Sequence, residues 1–157
     1  ASPMLKRTPL KRGTKGLKRT PLRRGTVGLR RVSKNRIPTL RRKAWSLMSE
    51  FVRRRDKGVC FTCGVQKPWK EMEAGPFIPR DHLDFNFVNI NCQCARCNKF
   101  LSGNLDVYAE KLITKYGLDE FMKLSALRHS VAPWRIIYLE EVIANLKDLM
   151  AELAETV

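Results

Sequence analysis

The sequence has no acidic residue before Glu50 and no uninterrupted run of 18 apolar residues. The second absence excludes a membrane-spanning helix, and we expect no secretory signal because the basic N-terminus lacks an apolar segment. Histidine is scarce, with His82 and His129 alone. An odd number of cysteines, four of them in CxxC pairs, favours a metal site over a disulfide framework, and therefore a reducing cytoplasm.

The missing acidic residues define a basic arm. Of the 31 Lys and Arg residues, 16 lie within residues 1–43, and the rest of the chain balances 15 basic against 15 acidic groups. Residues 6–17 and 18–29 are tandem copies of twelve residues, KRTPLKRGTKGL and KRTPLRRGTVGL, identical at ten positions. Because such a segment buries too little surface to offset the entropy of ordering, we predict a disordered arm over residues 1–38.

Rows of Lys and Arg suit the phosphate backbone of DNA, whose contacts position a protein without reading sequence. The arm residues predicted to bind DNA are Lys6, Arg7, Lys11, Arg12, Lys18, Arg19, Arg23, Arg24, Arg30 and Arg31. Arg41 and Arg42 on the following helix are predicted to extend this track. The alternatives are a solubilising or ribosome-binding tail for the arm and an ordinary solvated face for the helix.

The remaining chain predicts an α+β fold that is mostly helical, with one domain over residues 39–130 and a C-terminal helix within residues 131–157. Thr39 can cap a helix from about Leu40 to Lys57 that Gly58 ends. The other predicted elements are a short strand between Cys60 and Pro79, a second over Phe85–Ile90, a helix starting near Ala95, and helices over 104–116, 119–129 and from Pro133 to near Glu155.

The last predicted helix carries apolar residues at alternating spacings of three and four. They are Ile136, Leu139, Ile143, Leu146, Met150 and Leu153. This pattern is typical of a heptad seam. It has two interpretations, a homodimer through the seam or packing onto the earlier helices of the same chain.

The strongest chemical signal is a pair of CxxC motifs, Cys60/Cys63 and Cys94/Cys97, with Cys92 as a spare thiol. Four thiolates in two such turns match the tetrahedral geometry of Zn²⁺ and leave no open position for a substrate. We therefore predict a structural zinc that staples the domain. Free core cysteines are the alternative.

Several motifs stand in a recognisable order around these cysteines: Ala74-Gly75, Asn89-Ile90, Gln93, Asn98, Leu101-Ser-Gly-Asn104 and Tyr108. Together with the basic arm, the order resembles the phage NinG (Rap) recombination proteins, within the wider HNH or ββα-metal nucleases. The resemblance covers about residues 45–125. It implies a zinc-stapled ββα unit in a phage-encoded protein of the host cytoplasm that binds branched DNA such as Holliday junctions and D-loops.

The resemblance also implies a catalytic site for metal-dependent phosphodiester hydrolysis. The family places a general-base histidine after the Ala-Gly pair, where this chain has Pro76, which carries no imidazole. His82, preceded by Asp81, is the nearest substitute. Asn89 would orient the base, while Asn98 and Asp81 would help to hold Mg²⁺ or Mn²⁺.

Two functions follow from these residues. One is a structure-directed endonuclease in which His82 has taken over as the base, and the other is a non-catalytic junction-binding recombination accessory whose site Pro76 has inactivated. Ordinary roles as turn, helix-start or surface residues are alternatives for Asn89, Asn98, Asp81 and His82. A ribosome-associated basic protein is a third class.

Deleting residues 1–36 tests the arm. If the arm neutralises six to ten phosphates, the affinity of the intact chain for DNA should fall about 10³- to 10⁵-fold between 50 and 200 mM salt. The deletion should weaken binding and flatten this salt dependence, measured by fluorescence anisotropy. Unchanged affinity and slope would show that the arm does not bind DNA.

Overall fold

The computed structural model describes residues 36–132 and 134–155. Its helices are α1 (Arg36–Arg55), α2 (Leu105–Tyr116), α3 (Leu118–Ala126) and α4 (Ile136–Glu155), and its strands are β1 (Glu73–Pro76) and β2 (Ile90–Gln93). This confirms an α+β fold that is mostly helical with a small sheet. The disorder predicted over residues 1–38 is wrong for residues 36–38, which belong to α1. The rest of the arm lies outside the described residues, together with the arm residues predicted to bind DNA: Lys6, Arg7, Lys11, Arg12, Lys18, Arg19, Arg23, Arg24, Arg30 and Arg31.

Helix α1 begins earlier than predicted. Arg36 is already helical, so the expected cap at Thr39 is wrong. Pro38 is tolerated there because the first turn of a helix has N–H groups without intrahelical acceptors. At the other end Gly58 takes part in the terminating turn, as predicted: its N–H donates to the Arg53 carbonyl at 3.0 Å, and the preceding Lys57 has a φ of +50°.

Strands β1 and β2 form an antiparallel pair in which Glu73 faces Gln93 and Pro76 faces Ile90. The prediction of a strand over Phe85–Ile90 is wrong, because only Ile90 of that stretch belongs to β2. The Asn86 side chain accepts hydrogen bonds from the N–H groups of Val88 and Asn89, at 2.9 and 3.0 Å, and so bends the chain into a turn. All four residues of β2 are buried, including the polar side chains of Asn91 and Gln93.

The segments after β2 follow the predictions more closely. A helix starts near Ala95, as predicted, and it is a single wide turn, Arg96–Phe100, in which the Leu101 N–H donates to the Arg96 carbonyl. Helices α2 and α3 match the predicted ranges, and Leu127–His129 extend α3 as a tighter turn. The start predicted at Pro133 is too early, since α4 begins at Ile136; Pro133 itself lies outside the described residues.

Helix α4 packs against α1. Arg36 forms an ion pair with Glu140 near the start of both helices, and Leu146 lies in a core cluster with Met48 and Val52 of α1. The intrachain interpretation of the seam is therefore confirmed, and the homodimer stays a prediction. None of the described helices is long and apolar enough to cross a membrane.

Replacing Leu146 tests this packing. The side chain is 1 % exposed, so Leu146→Ala should lower the free energy of unfolding by about 2–5 kcal/mol through lost burial and a residual cavity. The matched control is Ile137→Ala on the same helix, where the side chain is 70 % exposed. Chemical denaturation should detect a change of about 0.5 kcal/mol or less for the control. Equal effects for the two variants would contradict the packing.

Candidate metal centre and adjoining polar site

The four cysteines of the CxxC motifs converge on one point. Cys60 and Cys63 lie in a turn after α1 that the isolated pairing of Val59 with Gln66 closes, and Cys94 and Cys97 follow β2. Their sulfur atoms all lie within 4.8 Å of one another, with Cys63 and Cys94 Sγ 3.7 Å apart. A tetrahedron with Zn–S bonds of about 2.3 Å has edges of about 3.8 Å. The cluster therefore fits a structural metal such as zinc.

The surroundings favour a thiolate at one member of the cluster. Burial raises the pKa of Cys60, but hydrogen bonds from the Cys63 backbone and the Thr62 hydroxyl lower it to about 6. Burial raises the pKa of Cys63 to about 12, and it also raises that of Cys97. Metal binding must therefore displace protons from the other thiols, so that metal affinity falls as the pH falls.

Cys92 lies outside the cluster, as predicted for a spare thiol. It is fully buried among core residues of α1 and β2. Burial, helped by the nearby Asp56 carboxylate, raises its pKa to about 12. A neutral, enclosed thiol of this kind behaves as a small apolar side chain.

A second polar cluster lies where β1, β2 and the turn after Cys97 meet. Asn98 Nδ2 donates to Glu73 Oε2 at 2.7 Å, and Lys99 forms an ion pair with the other oxygen of the same carboxylate. The oxygens of Asn98 and Gln93 both face Gly75: a methyl group there would lie 2.8 Å from Asn98 Oδ1 and 2.0 Å from Gln93 Oε1. Only glycine leaves room for these oxygens.

The oxygen of Gln93 has no donor among the described residues, although the side chain is completely buried. Its Nε2 donates to the Gly103 carbonyl at 2.8 Å and to the Thr62 hydroxyl at 3.3 Å, which fixes the direction of the amide. Burial raises the pKa of the neighbouring Glu73, but hydrogen bonds from Lys99 and Asn98 lower it below its usual value. The cluster therefore combines one ionised carboxylate with two amide oxygens, the hard donors that Mg²⁺ and Mn²⁺ prefer.

Glu73 and Gln93 were not among the residues predicted to form the site. Both stand in the motif-rich stretch, but their proximity depends on the register that places Glu73 opposite Gln93. A carboxylate directly before the Ala74-Gly75 motif was the available signal. The register itself cannot be read without knowing where β2 begins.

Asn89 holds the loop that follows β1. Its Oδ1 accepts from the Ile78 N–H at 2.8 Å, and its Nδ2 donates to the carbonyls of Ile78 and Leu83 at 3.0 and 3.2 Å. The side chain is fully buried. It binds the backbone on both sides of His82, at Ile78 and at Leu83, and makes no hydrogen bond with the imidazole. Pro76, the position of the expected histidine, ends β1 opposite Ile90.

His82 and Asp81 contact other parts of the fold. His82 Nε2 lies 2.8 Å from the Leu127 carbonyl, to which it must donate. Asp81 forms an ion pair with Arg41 of α1 at 3.1 Å. Among the described residues no contact joins either side chain to Asn98, which is bonded to β1. The structure thus pairs Asn98 with Glu73, not with the predicted partner Asp81.

The two helix arginines predicted to bind DNA differ in their surroundings. The Arg41 guanidinium binds the carboxylates of Asp81 and Asp84, at 3.1 and 3.3 Å, and stacks on Trp134 at 4.2 Å. Its charge is therefore largely neutralised within the chain. Arg42 is exposed.

Comparison with known proteins identifies the family. The model of a family described as Bacteriophage Lambda NinG protein matches residues 6–155. The chain belongs to the NinG family. The match extends beyond the described residues into the basic repeats, and it confirms the resemblance to the NinG family.

Individual NinG proteins share a modest fraction of identical residues with this chain. The protein ninG of Escherichia phage lambda is 27 % identical over 115 residues, 71 % of this chain and 56 % of the relative. The protein ninG of Salmonella phage P22 is 31 % identical over 80 residues, 49 % of this chain and 39 % of the relative. The chain thus spans about half the length, or less, of these curated relatives. No solved structure matches.

Removing the structural metal should unfold the domain. Metal binding at such a site contributes on the order of 10 kcal/mol to folding, so a strong chelator, or Cys94→Ser, should abolish the thermal transition seen by circular dichroism. Elemental analysis should find about one zinc per chain before chelation and far less in Cys94→Ser.

Cys92→Ala is the matched control, because this buried thiol lies outside the sulfur cluster. It should retain the metal. A Cys94→Ser variant with full metal content and an unchanged melting temperature would contradict the assignment of the metal centre.

Proposed function

We propose that this NinG-family protein binds branched DNA in phage recombination, on the scaffold of a metal-dependent nuclease whose general base is missing. The observation that carries the proposal is the separation of two halves of a hydrolytic site. The oxygens of Glu73, Gln93 and Asn98 come together beside β1, whereas the His82 imidazole is hydrogen-bonded to the Leu127 carbonyl.

The order of elements supports a nuclease-like scaffold. An antiparallel pair, β1 and β2, is followed by the helical turn Arg96–Phe100, and a CxxC motif stands on each side of the hairpin. This is the arrangement that the ββα-metal resemblance implies. The helical turn brings Asn98 onto Glu73 of the first strand, where such a fold needs its cation ligands.

The cluster beside Gly75 fits a divalent cation. Glu73 supplies an anionic oxygen, and Asn98 and Gln93 supply neutral ones, with the Gln93 oxygen buried and without a donor among the described residues. A cation here would stabilise negative charge developing on a phosphate. In the chain itself, Lys99 neutralises the same carboxylate.

The step that the residues do not support is proton abstraction from water. A general base must lie within hydrogen-bond reach of the water it activates. Pro76 carries no basic atom, and His82 uses Nε2 as a donor to Leu127, which leaves only Nδ1 to accept a proton. Binding of branched DNA, with little or no cleavage, is therefore the function that the site supports best.

Restoring the histidine tests the proposal. Pro76→His should create Mg²⁺- or Mn²⁺-dependent nicking of four-way junctions, because a positioned base contributes about 10²- to 10⁴-fold to rate. Pro76→Ala is the matched control, since it removes the proline without adding a base, and it should stay inactive. Labelled junction and linear duplex DNA of equal length would be compared on denaturing gels and in competition binding.

Each of the other outcomes identifies a different function. Cleavage by the unmodified chain that His82→Ala abolishes would show that His82 acts as the base and that the protein is an active endonuclease. If junction and linear DNA compete equally for binding, the branched-DNA proposal is wrong, and a basic protein without preference for DNA structure is favoured.

A further inference from the structure

The turn after Cys97 carries the most exposed aromatic side chain in the described part of the chain. Phe100 is 81 % exposed, and Leu101 and Leu105 are each 45 % exposed. Single exposed apolar residues are ordinary, but here two consecutive ones project from a turn that adjoins the polar cluster. We call Phe100 and Leu101 the apolar tip.

The backbone beneath the tip is fixed. The Leu101 N–H donates to the Arg96 carbonyl and the Gly103 N–H to the Cys97 carbonyl, both at 2.9 Å. The buried Gln93 amide holds the Gly103 carbonyl at 2.8 Å. The tip is thus anchored to the metal centre, and it cannot fold back onto the core to hide its apolar surface.

The residues after the tip are held in a conformation that side chains disfavour. Ser102, Gly103 and Asn104 have φ values of +49°, +89° and +50°. For serine this left-handed region is unfavourable, and such backbone strain is concentrated at functional sites. The turn that exposes the aromatic ring therefore lowers the stability of the fold.

The charge around the tip favours a nucleic acid as its partner. Arg96 precedes it and is exposed, Lys99 is exposed but ion-paired with Glu73, and no acidic residue lies between Cys94 and Leu105. Protein interfaces are depleted in lysine at their cores, whereas surfaces that bind unpaired nucleotides combine cations for the phosphates with aromatic rings for the bases. Proteins that kink DNA likewise insert Phe or Leu between base steps.

We propose that Phe100, supported by Leu101, stacks on a nucleobase exposed at the branch point of DNA. This inference rests on the proposed function for its ligand. A continuous duplex offers base faces only at its ends, whereas a branch interrupts stacking in its interior, so the apolar tip would supply the preference for branched DNA. Asn98 lies two residues before Phe100, and a branch bound at the tip is therefore placed beside the polar cluster.

The test compares Phe100→Ala and Phe100→Trp in the full chain on a four-way junction with 2-aminopurine at the branch and on a linear duplex of equal length. Base–aromatic stacking of this kind predicts that Phe100→Ala weakens junction binding about 5- to 100-fold. Linear-duplex affinity should change less than about two-fold, because phosphate contacts dominate it. Phe100→Trp should bind like the unmodified chain and keep the change in 2-aminopurine fluorescence that Phe100→Ala loses.

Val131→Ala is the matched control, since this side chain is 90 % exposed outside the tip, and it should leave both affinities unchanged. An equal loss of affinity for junction and linear DNA in Phe100→Ala would overturn the stacking role. Unchanged affinity for the junction would also overturn it, and would favour a protein as the partner of the tip. If the unmodified chain does not prefer junctions, the proposed function is wrong, and this inference is wrong with it. Metal content and melting temperature, which an exposed side chain should not alter, exclude a folding defect in Phe100→Ala.

Discussion

Four sulfur atoms within reach of one metal ion are the constraint on which the rest of the structure depends. They join the turn after α1 to the end of β2, and the Phe61 N–H adds a backbone bond to the Cys92 carbonyl at 2.7 Å beside them. A sheet of two four-residue strands is too small to be stable alone. The metal centre fixes one end of this hairpin, and packing of α4 on α1 covers the other cysteine, Cys92.

Hydrogen bonds between buried polar side chains help to hold this core together, a role that apolar contacts fill in larger cores. Asn91 donates to the Tyr108 hydroxyl at 3.1 Å, and that hydroxyl donates to the Gly75 carbonyl at 2.9 Å. Arg55 reaches Asn91 Oδ1 at 3.1 Å from the end of α1. Because a partly satisfied buried polar group is costly, this network specifies one register for the hairpin. It thereby determines which residues of β1 and β2 face the turn after Cys97.

The features predicted correctly from the sequence were local ones. The spacing of Cys60, Cys63, Cys94 and Cys97 predicted a shared metal site, and helical periodicity with Gly117 gave the bounds of α2 and α3. The strand over Phe85–Ile90 failed because the Asn86 side chain makes a turn there and because β2 is buried on both faces. The cap at Thr39 failed because a helix that tolerates Pro38 in its first turn can begin before it.

The residues of the polar cluster were harder to predict because their proximity depends on pairing between distant parts of the sequence. Asn98 was recognised from its position after Cys97, but its partner Glu73 follows from the hairpin register. The pairing of Asp81 with Arg41 and of His82 with Leu127 depends on how α1 and α3 pack around the loop. Neither pairing produces a local sequence pattern from which it could be predicted.

Gln93 links the oxygen cluster to the four cysteines. The residue precedes Cys94 directly, and its amide is clamped by Thr62, which lies between Cys60 and Cys63, and by Gly103. The Gln93 oxygen can face Gly75 only while both hydrogen bonds persist, and both partners lie beside the four cysteines. Any change that separates the four cysteines would therefore also move the Gln93 oxygen away from Gly75.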